Sequence, residues 1–128
     1  MSLFLELDEA LALVDRMGFH VRDAGLLGSA LARPSTTVMG QFAYPTLPLQ
    51  AAALLESVTR NHALIDGNKR SAWVFVVVFL ALNGAEHDMI PDRVFDLVVG
   101  VAEGSVELEE SAQTLAAHLR PAAEIPPA

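Results

Sequence analysis

The chain has 128 residues, 52% of them hydrophobic and 19% charged, without a cysteine. This composition excludes a disordered chain, a disulfide scaffold and a cysteine-based zinc site, and the length suits one domain with a single core, 1–121, followed by a loose tail, 122–128. Eight basic residues against sixteen acidic ones leave a net charge of −8, which argues against direct nucleic-acid binding and requires any site for an anionic nucleotide to be a local feature.

The segment Met1 to Asp8 has neither a basic region nor a long apolar run, so it does not read as a signal peptide. Leu7, Ala10, Leu11, Val14 and Met17 then recur at three and four residues, predicting a first helix with Asp8 and Glu9 at its start and Gly18 at its close. A second helix from about Asp23 carries Leu26, Leu27, Ala30 and Leu31, and Pro34 ends it. Ser35 to Pro48 has no helical period; with Gly40-Gln41 at its centre it reads as a loose hairpin or an irregular surface loop. From about Leu49 a third helix aligns Ala51, Leu54, Leu55 and Val58, and His62 continues that stripe, so its side chain is expected to point inward.

Asp66-Gly67 supplies a turn, and a fourth helix begins near Asn68. The apolar run from Ala72 to Leu82 has eleven residues. A membrane span needs about 20, so this run predicts a buried central helix, apolar on every side, in a cytoplasmic protein with no membrane association. Pro91 opens a fifth helix with Val94, Leu97, Val98 and Val101 inward. A sixth helix places Leu108, Ala112, Leu115 and Leu119 inward, and Pro121 stops it. The expected fold class is all-α, about six helices around a buried central one.

The chemistry is concentrated in Asn61 to Trp73. His62 ends one helix beside a polar turn, where an imidazole can take a proton near neutral pH, although a single histidine is more often structural. Asp66 suits a turn or cap, or a magnesium ion held through its carboxylate. Gly67 permits positive φ. Asn68, Lys69 and Arg70 form a helix start whose free N–H groups favour anions. Two cations there oppose the helix dipole, a local conflict that a bound anion resolves. Together these residues suggest phosphoryl or nucleotidyl transfer, without a Walker loop.

His62-Ala63-Leu64-Ile65-Asp66-Gly67-Asn68-Lys69-Arg70 resembles the Fic/Doc motif His-x-Phe-x-(Asp/Glu/Asn)-(Ala/Gly)-Asn-(Gly/Lys)-Arg, and Asn68-Lys69-Arg70 is similar to the Doc (death-on-curing) toxin branch. Val21 to Pro34 and Phe79 to Gly84 look like flanking segments of Doc proteins. The resemblance implies a Fic fold and a toxin restrained by a Phd-like antitoxin. It implies phosphorylation of a hydroxyl side chain, a threonine of elongation factor Tu, with ATP and Mg2+. It makes His62 the base, Asp66 the magnesium ligand, and Gly67, Asn68, Lys69 and Arg70 the phosphate-binding residues, with Lys69 also catalytic. A flap containing Gly40, Gln41 and Phe42 would dock the target as an added strand.

The chain departs from the pattern at Leu64, where the family has Phe, and at Trp73, where Fic adenylyltransferases carry a second arginine. The second departure favours a kinase over adenylyl transfer. The family's inhibitory pattern, Ser/Thr-x-x-x-Glu-Gly/Asn, is approached at Ser105 to Glu109, but Glu110 follows, so inhibition is expected in trans. Two alternatives lie outside this activity. One is an HD-type metal phosphohydrolase built on His87-Asp88 with His62 and Asp92; the other is an inactive antitoxin-binding module.

Overall fold

Six helices carry most of residues 2–123, the part described by the computed structural model. They are α1 Leu7–Arg16, α2 Ala24–Ala32, α3 Leu47–Asn61, α4 Asn68–Leu82, α5 Pro91–Glu103 and α6 Leu108–His118. The helix starts follow the caps. Asp23 accepts the Leu26 N–H at 3.1 Å at the head of α2, and Thr46 accepts the Leu49 N–H at 3.3 Å at the head of α3. Pro48 lies inside the first turn of α3, where its missing N–H costs nothing, so this helix starts two residues before the predicted Leu49.

The centre belongs to α3 rather than α4. Ala51, Ala52 and Ala53 are fully buried, and these small side chains let α2, α4, α5 and α6 all pack onto one helix. α4 presses Ala72, Phe75, Val76, Phe79 and Leu80 into the core. Its opposite side is not enclosed as the apolar run predicts: Val77 and Leu82 are 38% and 37% exposed. Polar ties fix the helix ends. Ser57 Oγ donates to the Ala30 carbonyl at 2.8 Å, and Arg60 donates from Nε and Nη2 to the Val101 carbonyl at 3.1 and 3.0 Å. The Asn83 amide pairs with both backbone groups of Leu3.

Two short ladders complete the fold. β1 Thr37–Val38 pairs antiparallel with β2 Gln41–Phe42, so the segment between Ser35 and Pro48 does contain a hairpin. Its turn is Met39-Gly40, at φ 53° and 79°, and not Gly40-Gln41. A tight two-residue hairpin loop favours positive φ at both central residues, and the exposed Met39 side chain meets nothing that opposes it. The hairpin stem is held to α3 through Arg33, which donates to the Tyr44 hydroxyl at 3.0 Å and pairs with Glu56 at 2.9 Å. Burial alone would lower the Arg33 pKa; its hydrogen bonds to Tyr44 and Glu56, with the Glu56 charge, outweigh this and raise it.

β3 Ala85–His87 pairs with β4 Leu119–Pro121. This removes Leu119 from the sixth helix, where periodicity places it, and puts His87 in a strand. Arg120–Glu86 and His118–Asp88 contacts, at 3.0 and 2.8 Å, flank the ladder. Ala122 N–H donates to the Gly84 carbonyl at 2.9 Å; the rest of the expected tail, 124–128, lies outside the described residues.

Candidate active site

The junction between α3 and α4 departs from expectation at its first residue. α3 ends at Asn61, and His62 takes a left-handed conformation, φ 51° and ψ 44°. Histidine tolerates this region better than most side chains. The turn swings the imidazole off the buried stripe, so His62 is exposed. Ala63 and Leu64 go inward in its place, each 2% exposed. Burying Leu64 contributes on the order of 2 kcal/mol and anchors the loop where the motif has Phe.

The loop is stitched to the segment before α2. Arg22 and Asp23 donate their N–H groups to the Ala63 carbonyl at 2.8 and 3.0 Å, and Ile65 N–H donates to the His20 carbonyl at 2.9 Å. The Arg22 guanidinium donates from Nε, at 3.1 Å, and from Nη2 to the His62 carbonyl. That fork holds the peptide on which the imidazole hangs. Arg22 and Phe19 carry no chemical signature at these positions, and only the long-range pairing reveals their part.

Gly67 immediately precedes α4, at φ 73°. A Cβ there would stand 2.5 Å from the Phe19 ring, so both backbone and space demand glycine. Asn68 closes the loop with its amide: Oδ1 accepts the Leu64 N–H and Nδ2 donates to the Leu64 carbonyl, both at 3.0 Å. Its side chain is thereby engaged with the loop.

His62, Gly67, Asn68, Lys69 and Arg70 line one pocket of about 400 Å³, together with Thr59 and with Val99, Ala102 and Glu103 of α5. The four α3 and α5 residues had no motif to mark them. Lys69 and Arg70 are exposed and make no ion pair among the described residues. The first-turn N–H groups of a helix lack intrahelical acceptors, so this end of α4 presents donors and two cations together. Asp66 is exposed on the same loop but does not line the pocket. Neither do Gly40, Gln41 and Phe42 of the hairpin; Phe42 instead packs toward Phe4, with ring centroids 6.2 Å apart.

The HD arrangement does not assemble. Among the described residues no three His, Asp or Glu side chains gather as metal ligands. His87 Nδ1 accepts the Met89 N–H at 3.0 Å, and Asp88 is engaged by His118.

Comparison with known proteins agrees with the motif and the helical fold. The sequence model described as Fic/DOC family matches residues 3–80. The chain is also 51% identical over 98 residues to a protein of Mycolicibacterium smegmatis named Toxin Doc, covering 75% of each chain.

Proposed function

Since the chain belongs to the Fic/DOC family, we propose that it is the toxin of a toxin–antitoxin pair and a protein kinase. It transfers a phosphoryl group from ATP to a hydroxyl side chain of a translation factor, with a threonine of elongation factor Tu as the substrate to test first. The observation that carries this reading is the shared pocket: an exposed imidazole at the end of one helix, and two exposed cations at the start of the next. The relative's name supports the toxin assignment.

In the proposed step the target hydroxyl gives its proton to the His62 imidazole while its oxygen bonds the γ-phosphorus. The bond from that phosphorus to the bridging oxygen breaks, ADP leaves with the electron pair, and His62 then releases the proton. Base catalysis of this kind contributes about 10²–10⁴-fold. Lys69, Arg70 and the first-turn N–H groups of α4 balance the charge that spreads over the phosphoryl oxygens.

Asp66 would be the residue to hold magnesium: it lies outside the pocket lining, but on the same loop, and its exposed carboxylate makes no ion pair among the described residues. Magnesium in phosphoryl-transfer sites is held by one or two carboxylates plus the substrate's phosphates, so a three-ligand protein cage is not required. When bound, the ion would neutralise phosphate charge.

Phosphoryl rather than adenylyl transfer is favoured by Trp73, a neutral ring where adenylyltransferases carry a second arginine. Restraint is assigned to a Phd-like antitoxin, because Glu110 interrupts the approach of Ser105 to Glu109 to a self-inhibitory pattern. Among the described residues no helix is long and apolar enough to cross a membrane, and a translation-factor target places the toxin in the cytoplasm.

Incubation with elongation factor Tu and ATP labelled at either the γ or the α phosphate tests the reaction. Label from the γ position on the target is expected, and His62→Ala should lose it while keeping the helical circular dichroism signal. Label from the α position would replace the kinase with an adenylyltransferase. Equal toxicity of His62→Ala and wild type would remove His62 from the mechanism.

A further inference from the structure

Glu56 is the only acidic residue of α3, the central helix, and two arginines converge on it. Arg33 Nη1 lies 2.9 Å from Oε1 and Arg60 Nη1 lies 3.6 Å from Oε2, so each oxygen faces its own guanidinium. Both arginines reach further. Arg33 donates from Nε to the Tyr44 hydroxyl, at the stem of the hairpin. Arg60 donates from Nε and Nη2 to the Val101 carbonyl. One carboxylate thus stands in the middle of a polar chain that runs from Tyr44, ahead of α3, to the last turn of α5.

That end of α5 is a wall of the His62 pocket. Val99, Ala102 and Glu103 line the pocket around Val101, and Thr59 and His62 line it on either side of Arg60. The Arg60 fork therefore ties the two walls together. Glu56 itself borders a separate cavity of about 460 Å³, which includes Arg33 and Arg60 but no residue of the His62 pocket. Its influence on the reaction has to pass through the side chains it holds. Stability alone does not account for the cluster: partly exposed ion pairs add little, and apolar side chains of similar volume often replace buried ones without loss. An apolar residue at this position would fill space but could not orient a guanidinium. The Arg60 side chain is 41% exposed, and its long stem has many rotamers to choose from. The Glu56 charge favours the one in which the planar fork meets the Val101 carbonyl.

We infer that Glu56 is a positioning residue for the reaction at His62. Its carboxylate sets the Arg60 fork, and the fork holds the α5 wall at the spacing from α3 at which phosphoryl donor and acceptor hydroxyl align. Because Arg33 shares the carboxylate, the hairpin stem at Tyr44 is tied into the same setting. This rests on the phosphoryl-transfer reading of the pocket, and adds which residue sets its width.

Glu56→Gln keeps the shape and one acceptor oxygen but removes the charge. Label transfer from ATP is measured on the full-length variants, each normalised to its folded fraction by circular dichroism, using whichever labelled phosphate the wild type transfers. Glu56→Gln is expected to lower kcat about tenfold with KM for ATP nearly unchanged, because Lys69 and Arg70 on α4 are untouched. Arg60→Gln should lose at least as much, and adding Glu56→Gln to it should cost nothing more. Tyr44→Phe removes only a hydroxyl and should lower kcat about two- to threefold, but not in the Glu56→Gln background. Amide exchange gives a readout without activity: the Gly104 N–H, which donates to the same Val101 carbonyl at 3.2 Å, should exchange faster in Glu56→Gln and in Arg60→Gln. Wild-type kcat in folded Glu56→Gln, a further loss when it is added to Arg60→Gln, or a change confined to KM overturns the positioning role. If Glu56→Gln does not fold, Tyr44→Phe and Arg60→Gln decide: wild-type kcat in Tyr44→Phe, or losses that multiply in the pair, overturns it. A wild type that transfers label while Glu56→Gln is fully active refutes this role alone; a wild type that transfers none removes the phosphoryl-transfer reading and this role together.

Discussion

Gly67→Ala tests whether the α3–α4 junction is held by steric fit against Phe19. Gly67 sits at φ 73°, and an added Cβ would lie 2.5 Å from the Phe19 ring. The left-handed backbone costs a residue with a Cβ about 1–2 kcal/mol. Forcing a methyl group into filled space costs about 1–3 kcal/mol more. The expected loss is therefore about 2–5 kcal/mol, a large part of the roughly 5–15 kcal/mol that a typical domain has. Urea denaturation should show it as a lower midpoint with an unchanged slope. A double-mutant cycle separates the two causes. With Phe19→Ala in the background the clash disappears, so Gly67→Ala should cost only the backbone share, about 1–2 kcal/mol, and the coupling should be about 1–3 kcal/mol. Activity follows the geometry: Gly67→Ala shifts the start of α4 relative to His62 and lowers γ-label transfer, and the double variant recovers part of it. An equal cost in both backgrounds would refute the clash. Full stability in both would refute the left-handed requirement as well.

Asn68→Ala removes both 3.0 Å hydrogen bonds to Leu64 and leaves a buried N–H unpaired, so thermal or urea unfolding should show a loss of about 1–3 kcal/mol. Asn68→Asp keeps the acceptor but sets a carboxylate against the Leu64 carbonyl, and should be no more stable than the alanine variant. A loss of ATP affinity with full stability in Asn68→Ala would instead put the amide on phosphate. Arg22→Ala frees the His62 carbonyl, and misplacing the base lowers kcat for label transfer about 10–100-fold with KM for ATP nearly unchanged. Arg22→Lys, which cannot reproduce the fork, should recover only part of the rate. A change confined to KM would place Arg22 on the nucleotide rather than on the His62 peptide.

Local features were legible in the sequence because their physics is local. The start of α4 at Asn68, the caps of α2 and the burial stripe of α5 all depend on residues within a few positions of one another. His62 shows where periodicity stops being informative. A stripe describes a helix while the helix lasts, and α3 lasts only to Asn61. Past that point the exposed His62 is followed by Ala63 and Leu64, both buried, so the inward-facing residues no longer follow the helical stripe. β3 and β4 were illegible for a different reason: their side chains meet across a separation of 34 residues, and neither strand is longer than three residues. Asn68 stands between these cases. Its place at a helix start was readable, but its amide had two reasonable duties, gripping a phosphate or closing the loop, and the choice depended on the path of Leu64. That path is set by Val21, which bridges to Leu64, and by Arg22 on the His62 carbonyl. The residue types that would do the chemistry thus lie together in the junction, while the segment from Phe19 to Asp23 determines where they point.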